Sequence, residues 1–185
     1  GLLMFVATWI FWVGRRKFVH IPPGGMAFVR ETFSLDGFRS VGKLVVIYLF
    51  VAVFWSLYYQ TSSAWVLQAR NMDLRFMGVE WLPSQIQALN PILILIMIPS
   101  FTYVIYPAIN RVFPLTALRK ITIGFFLAAV SFLIPAWIES EIAGGARPNI
   151  VWQLLAYVVI TAAEVFVSIT CLEFSYTQAP KKMKS

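Results

Sequence analysis

The sequence predicts an all-α, multi-pass transmembrane helical bundle, and three observations carry that prediction. Hydrophobic residues make up 59% of the chain and charged ones 12%, with a mean hydropathy of +0.76. A soluble domain is roughly half apolar and about a quarter charged. The apolar residues are also gathered into long uncharged runs rather than scattered. Finally, the connections between runs alternate between strongly basic and mixed charge, the pattern of a chain that crosses a membrane repeatedly.

The first apolar stretch, Gly1 to Val13, has 13 residues, short of the roughly 20 that cross the hydrocarbon core. Its basic cluster, Arg15-Arg16-Lys17, follows it, whereas a signal peptide carries basic residues ahead of its apolar core. Residues 1–22 therefore read as the end of a truncated transmembrane helix, span A. Residues 23–43 set Phe28, Phe33, Leu35 and Phe38 among Arg30, Glu31, Asp36 and Arg39, which reads as a short amphipathic linker lying at the cytoplasmic interface.

Residues 44–185 read as four spans: B (44–69), C (84–107), D (121–138) and E (149–172). Leu44–Ala69 is 26 residues without a formal charge, Trp81–Asn110 is 30 and Ile121–Ile138 is 18. The last span is interrupted by one acid, Glu164. The A–B and C–D connections and the tail after E hold 12 of the 15 basic residues. Arg70, Arg75 and Arg147 lie on the other side, mixed with Asp73, Glu80, Glu139 and Glu141. The positive-inside rule then puts the basic set in the cytoplasm. The net charge of +7 is a topology signal, not a nucleic-acid footprint. Cys171 lies inside a span and is the lone cysteine, so it has no intrachain disulfide partner.

Within the spans, a few polar residues stand out. Ser84 after Pro83, with Gln87 three residues on, reads as a capping box that opens span C. Asn90-Pro91, Pro99 and Pro107 follow in that span. Each proline removes a helical donor, which predicts a bent helix beside a wet cavity faced by Asn90. Glu164 is about 15 residues in from Pro148. A lone carboxylate at that depth costs several kcal/mol unless it meets a partner or water. Ser168 and Cys171 share its face, while Glu173 falls half a turn around, near the cytoplasmic surface. Span B reads Phe54-Trp55-Ser56-Leu57-Tyr58-Tyr59-Gln60-Thr61-Ser62-Ser63, a run better suited to an aqueous path than to lipid. An aromatic belt with small residues packing between helices is the other reading. Enzyme signatures are missing: His20 is the lone histidine, and neither metal-ligand spacing nor a phosphate loop occurs.

Four stretches carry a family resemblance. FWVGRRKFVHIPP (Phe11 to Pro23), FWSLYYQTSSAWVLQARNMD (Phe54 to Asp73), QALNPILILIMIPSF (Gln87 to Phe101) and EVFVSITCLEFSYTQAPKKMKS (Glu164 to Ser185) resemble, in order, the sixth, seventh, eighth and tenth helices of the proton-dependent oligopeptide transporters. The resemblance implies a partial major facilitator fold holding helices six to ten. It also implies that Asn90 and Glu164 hold a peptide's amino terminus, that Trp55 lines a side-chain pocket and that Ser168 is a binding-site serine. A carboxylate and an amide oxygen suit an ammonium group chemically. One position departs. Where the family usually has an acid four residues after that tryptophan, this chain has Tyr59, which cannot supply the charge. Tyr59 and the adjoining Gln60 are the candidates for a gating or coupling role.

The expected function is proton-coupled symport of di- and tripeptides by alternating access, with no cofactor beyond the proton gradient and no enzyme activity. The expected partners are small peptides, protons, the lipid bilayer and the remaining helices of the same transporter. A same-fold carrier of a non-peptide solute such as nitrate is the alternative. A membrane-embedded enzyme or a non-transporting scaffold subunit stands further off.

Overall fold

The computed structural model describes residues 2–15 and 25–178. Arg16, Lys17, His20 and the tail lysines, on which part of the charge argument rests, lie outside the described residues. The chain forms two compact units, Gly1–Val41 with Ala179–Ser185, and Gly42–Gln178. In the first, helix α1 (Leu2–Gly14) stacks Trp9 near Trp12, and the Arg15 guanidinium sits 4.8 Å over the Trp12 ring. Helix α2 (Gly25–Thr32) follows.

Span B starts earlier than the charge pattern implies. Helix α3 runs Leu35–Tyr58, so with α2 most of the expected 23–43 linker is helical. The cause is local. The Gly37 amide donates to Ser34 Oγ at 3.0 Å, an N-cap placed well before the first uncharged residue. The helix then changes register through a 3-10 turn, Tyr59–Ser62, and ends in α4, Ala64–Ala69. In lipid, backbone groups released by such a break need a partner. The buried Tyr157 hydroxyl supplies one by donating to the Thr61 carbonyl at 2.8 Å.

A two-stranded hairpin, β1 (Arg75–Phe76) and β2 (Val79–Glu80), joins B to C. Met77 and Gly78 both have positive φ, 53° and 76°, as a two-residue hairpin turn of the primed type requires.

Span C is built from α5 (Pro83–Ile86), α6 (Leu89–Ser100), a π turn (Phe101–Ile105) and α7 (Tyr106–Val112). The expected Ser84 cap is corrected. With Pro83 in the first helical position, the cap falls at Leu82, whose N–H donates to Gln85 Oε1 at 3.0 Å. Gln87 does not reach back to Ser84; its amide donates to Ser62 Oγ of span B. The prolines also act unequally. Pro91 sits in the first turn of α6, where its missing N–H costs no bond, while Pro99 and Pro107 flank the π turn.

Thr116 caps α8 (Ala117–Ala143), which forms span D. Span E joins α9 (Val151–Glu164), a second π turn (Val165–Ile169) and α10 (Thr170–Gln178). Among the described residues, four helical stretches are long and apolar enough to cross a membrane: Gly37–Ala69, Pro83–Val112, Ala117–Ala143 and Val151–Thr177. The B–C and D–E connections meet at one end of the bundle. There the Asp73 amide donates to the Pro148 carbonyl at 3.0 Å, and the Ile150 amide donates to the Asp73 carbonyl at 2.9 Å.

Span E is the centre of the unit, with 56% of its apolar window buried against 33% for D, 13% for B and 6% for C. D and E make the most extensive helix pair. Gly124 permits that approach, because a Cβ there would meet Val167 Cγ2 at 2.6 Å and Phe166 Cβ at 3.0 Å. The two π turns also pack on each other, with the Phe101 and Phe166 rings 5.0 Å apart.

Candidate functional site

Two of the sequence-predicted residues are brought together. Asn90, in the first turn of α6, donates from Nδ2 to Glu164 Oε2 at 2.9 Å and to Thr161 Oγ1 at 3.1 Å. Thr161 is fully buried, whereas Asn90 and Glu164 are half-buried. Glu164 is the last residue of α9, where the helix widens into its π turn. Such turns occur frequently at functional sites. The Tyr58 hydroxyl lies close enough to interact with the Glu164 carboxylate. Asn90 lines a cavity of about 400 Å³ together with Tyr58, Thr61, Ser62, Gln87 and Tyr157.

The other predicted residues are placed differently. Trp55 is half-buried and packs in an aromatic group, edge-on to Tyr58 at 5.2 Å and tilted against Tyr59 at 5.8 Å between ring centroids. It therefore touches the site through Tyr58. Ser168 is half-buried one turn beyond Glu164, and its Oγ is buried with no hydrogen-bond partner among the described residues. Tyr59 is 62% exposed and makes no link to Asn90 or Glu164.

Gln60 lines a different and larger cavity of about 540 Å³ between spans B and D, with Trp65, Gln68, Phe132, Pro135 and Glu139. That cavity contains none of the residues that surround the carboxylate–amide pair. Volume here does not mark the chemistry: the smaller space, lined by Asn90, lies beside the intramembrane acid.

Thr161, Tyr58 and Tyr157 were missed as site residues. Thr161 was the most legible of them, since it is three residues before Glu164 and a hydroxyl at that spacing shares its helix face. Tyr58 was inside the aromatic run singled out in span B, but periodicity could not say which of its rings turns toward span E.

Three membrane-spanning stretches packed around a fourth that carries an intramembrane carboxylate define a multi-pass helical membrane protein with a polar site inside its bundle. The sequence model of the POT family, PTR2, matches residues 26–185, and the chain belongs to that family. It is 34% identical over 152 residues to the peptide transporter PTR2 of Saccharomyces cerevisiae, covering 75% of this chain and 25% of the relative. It is 37% identical over 125 residues to peptide transporter family 1 of Drosophila melanogaster, covering 68% of this chain and 16% of the relative. The crystal structure of the POT family transporter PepTSo superposes with a TM-score of 0.74 at 31% identity, and that of an auto-inhibited POT family peptide transporter with 0.75 at 30%. In both, all of this chain is matched to 50% of the solved chain. The chain thus spans about half the length of these structures and a quarter or less of these curated relatives. The fold is that of the POT family's major facilitator transporters, as the sequence motifs implied.

Proposed function

We propose that the protein containing this chain is a proton-coupled symporter of di- and tripeptides in the cytoplasmic membrane, working by alternating access, and not an enzyme. The observation that carries this is the hydrogen bond between Asn90 and Glu164 inside the bundle. A carboxylate in a half-buried site, beside an amide whose oxygen remains free, is chemistry for an ammonium group. An anionic solute such as nitrate would meet a like charge there.

Sites of this kind lie near the midplane between two repeats. This chain would supply one wall, with Asn90, Glu164 and Trp55 facing the peptide and Ser168, its hydroxyl buried, one turn along from Glu164, and the remaining helices would supply the other. Protons are the coupling ion and no cofactor takes part. Tyr59 and Gln60 are assigned to gating, away from the ammonium site.

The test is competition binding on the full-length protein with a dipeptide and with the same dipeptide acetylated at its amino terminus. Glu164→Gln is expected to weaken the first severely and the second little. Equal losses would move Glu164 to protonation or packing and overturn the reading. The orientation has its own check. A cysteine at position 141, in a Cys171→Ser background, should label with an impermeant reagent from outside only.

A further inference from the structure

We infer that Thr161 is a positioning residue that stops the Asn90 side-chain amide pivoting about its bond to Glu164, so that the amide oxygen faces the substrate. This rests on the reading of Asn90 and Glu164 as the ammonium site.

An asparagine amide offers two donors on Nδ2 and one acceptor oxygen, and the two ends are nearly the same shape. Packing alone therefore fixes its orientation poorly; its partners must do so. In this structure both Nδ2 hydrogens are committed, one to Glu164 Oε2 at 2.9 Å and the other to Thr161 Oγ1 at 3.1 Å. Asn90 Oδ1 accepts from no described residue, and Asn90 lines the 400 Å³ cavity. The acceptor end is therefore the one left for a ligand.

The opposite orientation would turn N–H donors toward an incoming ammonium, which has only donors of its own. Glu164 alone holds one hydrogen and leaves the amide free to pivot about that bond. Thr161 supplies the second point. It suits the role because it is fully buried on the most buried helix, one turn before Glu164. A threonine in a helix also has few χ1 rotamers to choose from. Glu164 and Thr161 thus hold the Asn90 oxygen toward the cavity, where it and the adjoining carboxylate would meet one positive group.

Thr161→Val keeps the shape and removes the hydroxyl; Thr161→Ser keeps the hydroxyl. In the full-length protein, Thr161→Val should weaken a free-amine dipeptide about three- to tenfold, the scale of one hydrogen bond, and leave the N-acetylated dipeptide unchanged. Thr161→Ser should restore most of the loss. In an Asn90→Ala background Thr161→Val should add nothing further, because its effect passes through Asn90.

Equal weakening of both ligands by Thr161→Val, or no rescue by serine, would overturn the inference in favour of plain packing. Full affinity in Thr161→Val would overturn it as well. Should the valine protein not fold, Thr161→Ala is subject to the same three comparisons. Glu164→Gln, run alongside, separates the two levels. If it spares the free-amine peptide, the ammonium site itself is wrong. If it weakens that peptide while Thr161→Val does not, only the role of Thr161 fails.

Discussion

Two of the amide–carboxylate pairs among the described residues look alike as residue types and differ in what they leave over. Near the end where the B–C and D–E connections meet, Gln68 donates to Glu139 Oε2 at 2.8 Å and to the Pro135 carbonyl at 2.9 Å. Gln153 then donates to the Trp65 carbonyl at 2.8 Å and to Gln68 Oε1 at 3.4 Å. This network ties spans B, D and E together and commits both ends of the Gln68 amide, while Glu139 stays exposed on the larger cavity. Asn90 also donates twice, to Thr161 and Glu164, but its oxygen is left unused beside a cavity. A polar group buried with every valence satisfied holds structure, whereas one with a remainder can bind. Residue type does not separate the two cases; the count of committed donors and acceptors does.

The largest expected effect comes from the open pair. Glu164→Gln should cost on the order of 2–5 kcal/mol of affinity for a free-amine dipeptide, as when one partner of a buried charge pair is truncated. Thermal unfolding of the purified protein should move little. Glu139→Gln should do the reverse, sparing affinity while altering stability. A matching loss of affinity in both variants would collapse the distinction between the pairs.

Next come two changes to the framework. Gly124→Val places a side chain against Val167 and Phe166, an overpacking expected to destabilise by about 1–3 kcal/mol. Gln153→Leu leaves Gln68 Oε1 without its donor and removes the bond to the Trp65 carbonyl, a loss of about 1–3 kcal/mol where a buried polar group goes unpaired. Both should appear as lower unfolding temperatures for the full-length protein. Peptide affinity per folded molecule should be unchanged for Gln153→Leu.

The smallest effect is expected at Tyr59. Its ring is mostly exposed and packs tilted against Trp55, and its hydroxyl takes no part in either network. Tyr59→Phe keeps the ring contact and should change stability by no more than about 0.5 kcal/mol, the range of surface substitutions. Proton-driven uptake abolished with exchange intact would give that hydroxyl a coupling role after all.

Much of this was legible in the sequence because a bilayer imposes a strong local rule. Each crossing needs a long uncharged run, and each connection declares its side by its basic residues. The four spans, the all-α class and the isolation of Glu164 within one span follow from that rule alone. The quoted motifs added the family, the fold it shares and the expectation that Asn90 and Glu164 serve one site.

Other features were decided only in three dimensions. Glu164 is 74 residues from Asn90, and Thr161 is 71. No helical periodicity reports which faces of spans C and E meet at such a separation. The π turn after Glu164 has no proline to announce it, and it packs where Gly124 on another helix admits Phe166 and Val167. Gln68 and Asn90 are both amides in apolar spans, yet one has both ends committed and the other keeps an acceptor free. Spans are set by how each segment meets lipid, a property of the segment itself. The site is set by how segments meet one another, because a hydrogen bond between helices depends on distances and angles that no single helix contains.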